Sequence, residues 1–227
     1  MGRILATGLT PFLIIAVDNL MIIVLNALLQ RYGGESQGDL LVAAATISQS
    51  FMLVVTMPLG GMTGGTASIL GYNLGAGQPK RILEAQKYIL ILAVAYTGVL
   101  CLVGQLFAAP FTRIFTPDVQ VSALAVNAIR ITTLGIVPLG VQYVIVDGLT
   151  GMGMMRYSLP LSAFRKLVYF VAIFVLPAAF GAMAIFFAEP ISDFIPPVVT
   201  VLFYWRKIPW LKQQALLHGQ PEETTQA

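Results

Sequence analysis

The chain alternates long apolar runs with short polar or glycine-rich breaks. The first run covers residues 4–29 and closes at Arg-Tyr-Gly-Gly, residues 31–34. Residues 33–39 read as a polar, turn-rich loop. A second run, 40–70, carries Gly60, Gly61, Gly64 and Gly65, small residues of the kind that let helices approach closely in lipid. A third run spans 88–109, behind a short amphipathic stretch that opens at Gln78, Pro79, Lys80 and Arg81. Residues 110–120 read as a loop, and a fourth run follows at 121–149. Each run supplies the roughly 20 residues that a helix needs to cross a bilayer.

The last apolar block, 158–205, is 48 residues long, too long for one spanning helix and right for two with almost no loop. A cut at Glu189 and Pro190 leaves a final helix of about 15 residues, too short to span. A cut at Phe180 and Gly181 uses glycine as the terminator and gives two spans, 158–179 and 182–205. The second cut is preferred. It places Glu189 and Asp193 inside the membrane, roughly 10 and 17 Å from the outer end at 1.5 Å per residue.

Composition supports the same picture. Of 227 residues 57% are hydrophobic and 10% charged, and the mean hydropathy is +0.83. A soluble globule carries about 25% charged residues. Collagen-like, disordered and disulfide-rich chains are excluded by 21 Gly, low polarity and the single Cys101. The fold class is therefore an all-α polytopic membrane protein of six transmembrane helices. These occupy residues 1–207, followed by a polar tail at 208–227 that includes His218. No cleavable signal peptide is apparent, since the first apolar run is long enough to span.

The net charge of +3 does not imply nucleic acid, because the basic residues are scattered and not interleaved with aromatics. They set orientation instead. With the amino terminus inside, ten of the 13 Lys and Arg fall on the cytoplasmic side: Arg3, Lys80, Arg81, Lys87, Arg156, Arg165, Lys166, Arg206, Lys207 and Lys212. Arg31 and Arg113 fall outside, and Arg130 lies in the fourth span. Both termini are expected in the cytoplasm of a multi-pass cell-membrane protein.

The sequence offers no metal-ligand cluster, no hydrolase triad and no phosphate loop, so no enzyme, metal or soluble cofactor is expected. The glycines at 71–77 lack the strand and spacing of a dinucleotide fingerprint. Ionisable residues inside spans carry more information. Asp18 lies in the first span, with Asn26 eight positions on and on roughly the same face. That face reads either as a cation or proton site or as an interhelical hydrogen-bond clamp. Glu189 and Asp193 form an i, i+4 carboxylate pair, which needs a proton or a cation, and Arg130 is the candidate partner. Asp147, near the inner end of the fourth span, reads as interfacial. Pro58, Pro138, Pro177 and Pro190 are candidate bends. Met152, Met154 and Met155 read as adaptable packing.

Four motifs resemble the carboxy-terminal half of a MATE (multidrug and toxic compound extrusion) transporter: Leu-Leu-Gln-Arg-Tyr-Gly-Gly at 28–34, Met-Pro-Leu-Gly-Gly at 57–61, Gly-Tyr-Asn-Leu-Gly-Ala at 71–76 and Ala-Glu-Pro-Ile-Ser-Asp at 188–193. The resemblance implies one six-helix lobe of a two-lobe exporter with a cavity between the lobes. It implies efflux of small cationic or amphipathic substrates against a sodium or proton gradient. Asp18 matches the family's membrane-embedded acid in the first helix of this lobe. The second acidic position of that lobe falls near Leu139 and is absent, and Gly64, Ala67 and Ser68 stand where relatives carry Gln and Gln-Pro. The missing first lobe implies a fragment, a half paired with a separately encoded lobe, or a parallel homodimer. A non-transporting membrane fragment or assembly partner is the alternative.

Overall fold

The computed structural model describes the backbone of residues 2–218 and the side chains of residues 16–209 and Gln213. Residues 219–227 of the expected polar tail and the side chains of His218, Arg3 and Lys212 lie outside these.

Six helices make up nearly all of it: α1 Gly2–Gly75, α2 Pro79–Phe115, α3 Val119–Thr132, α4 Ile136–Gly151, α5 Met155–Phe180 and α6 Ala188–His218. Two 3-10 turns, Thr133–Gly135 and Ala182–Phe187, join α3 to α4 and α5 to α6. Among the described residues, five helical stretches are long and apolar enough to cross a membrane: Ala16–Gly75, Pro79–Phe115, Val119–Gly151, Met155–Phe180 and Ala182–Pro209.

The first stretch is not one rod. Gly34 leaves helical geometry at φ 65 and ψ −171, a conformation that glycine adopts without strain. The two arms then fold back on each other. A Cβ on Gly33 would lie 2.8 Å from the Gly38 backbone, and one on Gly38 would lie 3.1 Å from the Gln30 Cα. Gln30 Nε2 donates to Asp39 Oδ1 across the turn. Leu25, Leu28 and Leu29 of the first arm pack with Leu41 and Ala45 of the second. The loop expected over 33–39 is thus reduced to the Gly34 reversal, and helix resumes at once.

The other helices also run further than the apolar runs. The amphipathic stretch and third run form one helix with Pro110 inside it, so the expected loop at 110–120 shrinks to residues 116–118. Asp118 caps α3 by accepting from the amides of Gln120 and Val121. At Gly181, φ 87 ends α5. Helix α6 continues through the first part of the expected polar tail, as far as His218. Pro190 stands in the first turn of α6, where its missing N–H leaves no bond unmade, so it starts the helix and does not kink it.

The centre of the bundle is the joint between α3 and α4. Ile129, Ile136 and Leu139 are completely buried there. The 3-10 turn leaves backbone acceptors short of partners. Gln105 of α2 supplies them: its Nε2 donates to Arg130 O at 2.8 Å and to Thr133 Oγ1 at 2.9 Å. Close approaches are made by other glycines than those expected. A Cβ on Gly60, Gly61, Gly64 or Gly65 would meet nothing within 4 Å, whereas one on Gly151 would lie 2.5 Å from the Ala67 Cβ. One on Gly135 would lie 2.7 Å from the Asp193 Cβ and 3.0 Å from the Pro190 Cα. The outer surface is apolar, with Leu102, Leu106 and Ile114 all exposed. Inside, buried hydroxyls such as Thr97 turn back onto their own helix carbonyls, here Ala93 O at 2.7 Å.

Gly135→Ala should therefore lower stability by about 1–3 kcal/mol, the usual range for overpacking. Thermal unfolding of the detergent-solubilised protein measures it, and an unchanged midpoint would contradict the contact with α6.

Candidate ion-lined cleft

Two salt bridges and one further carboxylate gather where the first arm of α1, α5 and α6 meet. On α1, Asp18 Oδ1 lies 2.6 Å from Lys166 Nζ of α5, with 51% of the Asp18 side chain exposed. One residue earlier on α5, Arg165 Nε donates to Asp193 Oδ1 of α6 at 2.9 Å, and Asp193 is completely buried. Glu189, one turn before Asp193, is half-buried. Adjacent residues of a helix point about 100° apart. Arg165 and Lys166 therefore reach different partners from one short segment of α5.

A cleft of about 300 Å³ runs past these groups, lined by Asp18, Arg165, Lys166, Tyr169 and Glu189 with Gln49, Thr56, Met21, Met52 and neighbouring aliphatics. A smaller chamber of about 20 Å³ lies beside it, with Gln49, Tyr169 and Glu189 on the wall common to both. The rest of its polar lining is Ser48 and Thr132, whose hydroxyls stand 3.2 Å apart. The combination of charged heads, thioethers and an aromatic ring suits a ligand with both polar and apolar parts.

The sequence-based site is partly assembled here. Asp18 and Glu189 both line the cleft. Asp193 lies behind it, packed on Gly135. Asn26 does not line the cleft, because eight residues carry it about 12 Å along the helix from Asp18. Arg130 is not the partner of the acidic pair: its side chain is exposed, and the cation that reaches Asp193 is Arg165. Asp147 accepts from Thr63 Oγ1 at 2.6 Å, a bond between the second arm of α1 and α4. Among the described residues no three or more His, Cys, Asp or Glu side chains gather as a metal-binding cluster.

Arg165, Lys166, Tyr169 and Gln49 were not singled out from the sequence. A signal was present for the first two. They lie about 15 Å into α5, at 1.5 Å per residue, so the helix carries two cations within an apolar run. Counting them among the basic residues of the cytoplasmic side obscured that. Cations so placed need acids, and Asp18 and Asp193 provide them.

The sequence matches the MatE family profile over residues 15–175. No curated protein is matched. Solved structures with the same fold include an outward-facing multidrug-resistance MATE transporter of the MOP superfamily, at 20% identity and a TM-score of 0.78, covering 87% of this chain and 44% of that one. The bent form of the Vibrio cholerae transporter VcmN aligns at 19% identity and a TM-score of 0.76, covering 90% and 45%. A Pyrococcus furiosus MOP superfamily transporter aligns at 22% and 0.77, covering 87% and 44%. The chain thus spans less than half the length of the solved structures it matches.

Removing one partner of the buried pair should be far more damaging than removing both. Arg165→Met alone strands the Asp193 carboxylate and is expected to cost about 3–5 kcal/mol. Arg165→Met with Asp193→Leu should recover most of that. Thermal unfolding of the single and double variants gives the comparison, and equal losses would contradict a buried, charge-compensated pair.

Proposed function

The chain belongs to the MatE family, and on that premise we propose that it is one lobe of a secondary active exporter of small cationic or amphipathic compounds, driven by sodium or proton antiport. The observation that carries the reading is the cleft: an acid, Asp18, half-exposed at the rim and held by a single lysine. Lysine is a point charge on a flexible stem. An incoming cation can therefore compete with Lys166 for Asp18, and release of Lys166 couples occupancy to the contact between α1 and α5. Gradient-driven movement of this kind is transport and makes or breaks no covalent bond.

The same exposure argues for a second lobe. A half-exposed carboxylate facing lipid costs several kcal/mol, and a facing six-helix lobe would cover it. That lobe is the remainder of a longer chain, a separately encoded chain or a second, parallel copy of this one. The orientation reading rests on the basic residues at the helix ends. With Arg165 and Lys166 withdrawn into the bundle, eight remain on the side assigned to the cytoplasm against two opposite, so both termini are assigned to the cytoplasmic face of the cell membrane.

Energised efflux of a fluorescent organic cation from cells expressing this chain together with a first-lobe partner is the test. Asp18→Asn should reduce gradient-driven efflux by about tenfold or more, a loss of roughly 1.4 kcal/mol or more in the coupled step. Lys166→Gln should alter the dependence on the driving ion. Unchanged efflux in well-expressed Asp18→Asn protein would remove Asp18 from coupling. A chain that reaches the membrane and exports with no second lobe and no self-association would remove the two-lobe requirement.

A further inference from the structure

Arg130 is a cation on the lipid side of the bundle with no acid beside it. Counted from Val119 at the start of α3, it lies about 16 Å down the helix at 1.5 Å per residue. That is deeper than the headgroup layer, which is about 5–8 Å thick on each side of a bilayer. The Arg130 side chain is exposed, and among the described residues it makes no salt bridge and no side-chain hydrogen bond. Arginine facing hydrocarbon is costly, and the cost falls when its head reaches up or a headgroup is drawn down to it.

The surface above Arg130 is a groove. A space of about 580 Å³ opens at the turn between α2 and α3 and descends between the two helices, within the size range of ligand pockets. On α3 it follows Ser122, Ala123, Val126 and Asn127, and Arg130 continues that stripe one turn further on. On α2 it follows Ala109 and Arg113. Two contacts set the register of the helices: the Thr112 and Ser122 hydroxyls meet at 2.8 Å near the mouth, and Gln105 Nε2 donates to Arg130 O at 2.8 Å below. Arg113 therefore lies level with Ser122 and about 12 Å above Arg130. A Cα–Cβ bond leans toward the N-terminus of its own helix. Because α2 and α3 are antiparallel, Arg113 leans down and Arg130 leans up, and the two converge near the level of Asn127. Arg113 also makes no salt bridge among the described residues. At the mouth, Asp118 spends Oδ1 on the amides of Gln120 and Val121.

We propose that this groove binds one anionic phospholipid from the leaflet at the α2–α3 turn, with its phosphodiester held between Arg113 and Arg130. The planar fork of arginine bonds phosphate oxygens in pairs, and two such forks suit one phosphate. A zwitterionic headgroup brings its own cation to a site that already holds two, so a net negative headgroup is preferred. An acyl chain then continues below along the exposed Leu106 and Leu102, which extend the Ala109–Arg113 stripe of α2. Free phosphate has nothing to lay on that apolar half. The site shares no lining residue with the ion-lined cleft, and it does not depend on the export reading.

The test titrates the full chain, in a neutral detergent, with phosphatidylglycerol or phosphatidylcholine and follows bound lipid by native mass spectrometry. The wild type should hold one phosphatidylglycerol about tenfold more tightly than phosphatidylcholine. Arg113→Gln and Arg130→Gln should each weaken phosphatidylglycerol binding by about tenfold, the usual worth of a charged hydrogen bond. Arg31→Gln, at an exposed arginine beside the α1 reversal and outside the groove, should leave it unchanged. Ala123→Phe fills the groove from an exposed position and keeps both arginines. It should weaken binding as well, and it serves if an arginine variant does not fold. Soluble glycerol 3-phosphate should fail to displace the lipid; displacement at equal concentration would make this a free-phosphate site and overturn the lipid reading. Phosphatidylglycerol binding that survives Arg130→Gln or Ala123→Phe unchanged overturns the proposal. Equal binding of the two lipids, or an equal loss in Arg31→Gln, does so too, because the lipid is then only the coat that any membrane protein carries.

Discussion

A carboxylate taken fully away from water needs a cation, and the bundle is arranged around one such need. Asp193 is buried, Arg165 reaches it at 2.9 Å, and Gly135 leaves the space in which it sits. For that space to exist, the helix through α3 and α4 tightens to a 3-10 turn at Thr133–Gly135. For the turn to be tolerated, Gln105 bonds the carbonyl and hydroxyl beside it. Four helices are thereby registered at one level by a few polar contacts. In lipid there is no general hydrophobic drive to set that register, so polar contacts and close packing between small residues do it.

The level at which those contacts fall is also the level of the cleft. Arg165 serves as a structural clamp on one side and as part of the cleft wall on the other. Lys166, the next residue, has a half-exposed acid for a partner and therefore a looser hold. The difference in burial between Asp193 and Asp18 separates the two pairs in kind. Breaking the first leaves a charge stranded in the core, whereas breaking the second leaves Asp18 with access to whatever fills the cleft. An acid that both binds and releases a cation fits the second setting better than the first.

The exposed face of the second arm of α1 has a related meaning. Leu53, Met57 and Tyr72 stand outward along it, and a Cβ on Gly60, Gly61, Gly64 or Gly65 between them would meet nothing within 4 Å. Small residues had been expected to mark close packing, and within this lobe that is done by Gly71, Gly135 and Gly151. Sequence alone does not say which glycine of a membrane helix meets a neighbour, because the periodicity of an apolar helix is nearly featureless when lipid and core are equally apolar.

What the sequence by itself determined was the class, the placing of most helices and the presence of costly acids. Length of apolar runs fixes membrane helices because the bilayer has a set thickness, and Gly34 and Gly181 mark reversals because a left-handed backbone favours glycine. Asp18, Glu189 and Asp193 stood out because charge within an apolar run is expensive. Partners were not legible in the same way. Arg130 and Arg165 are both cations inside helical segments, and only the packing of α5 against α6 brings Arg165 to Asp193 while Arg130 faces outward. The separate places of Glu189 and Asp193, one on the cleft and one behind it, follow from how α6 packs on the 3-10 joint of α3 and α4 at Gly135. That joint is held by Gln105 on one side and Asp193 on the other, residues so far apart in the chain that no local pattern encodes their meeting.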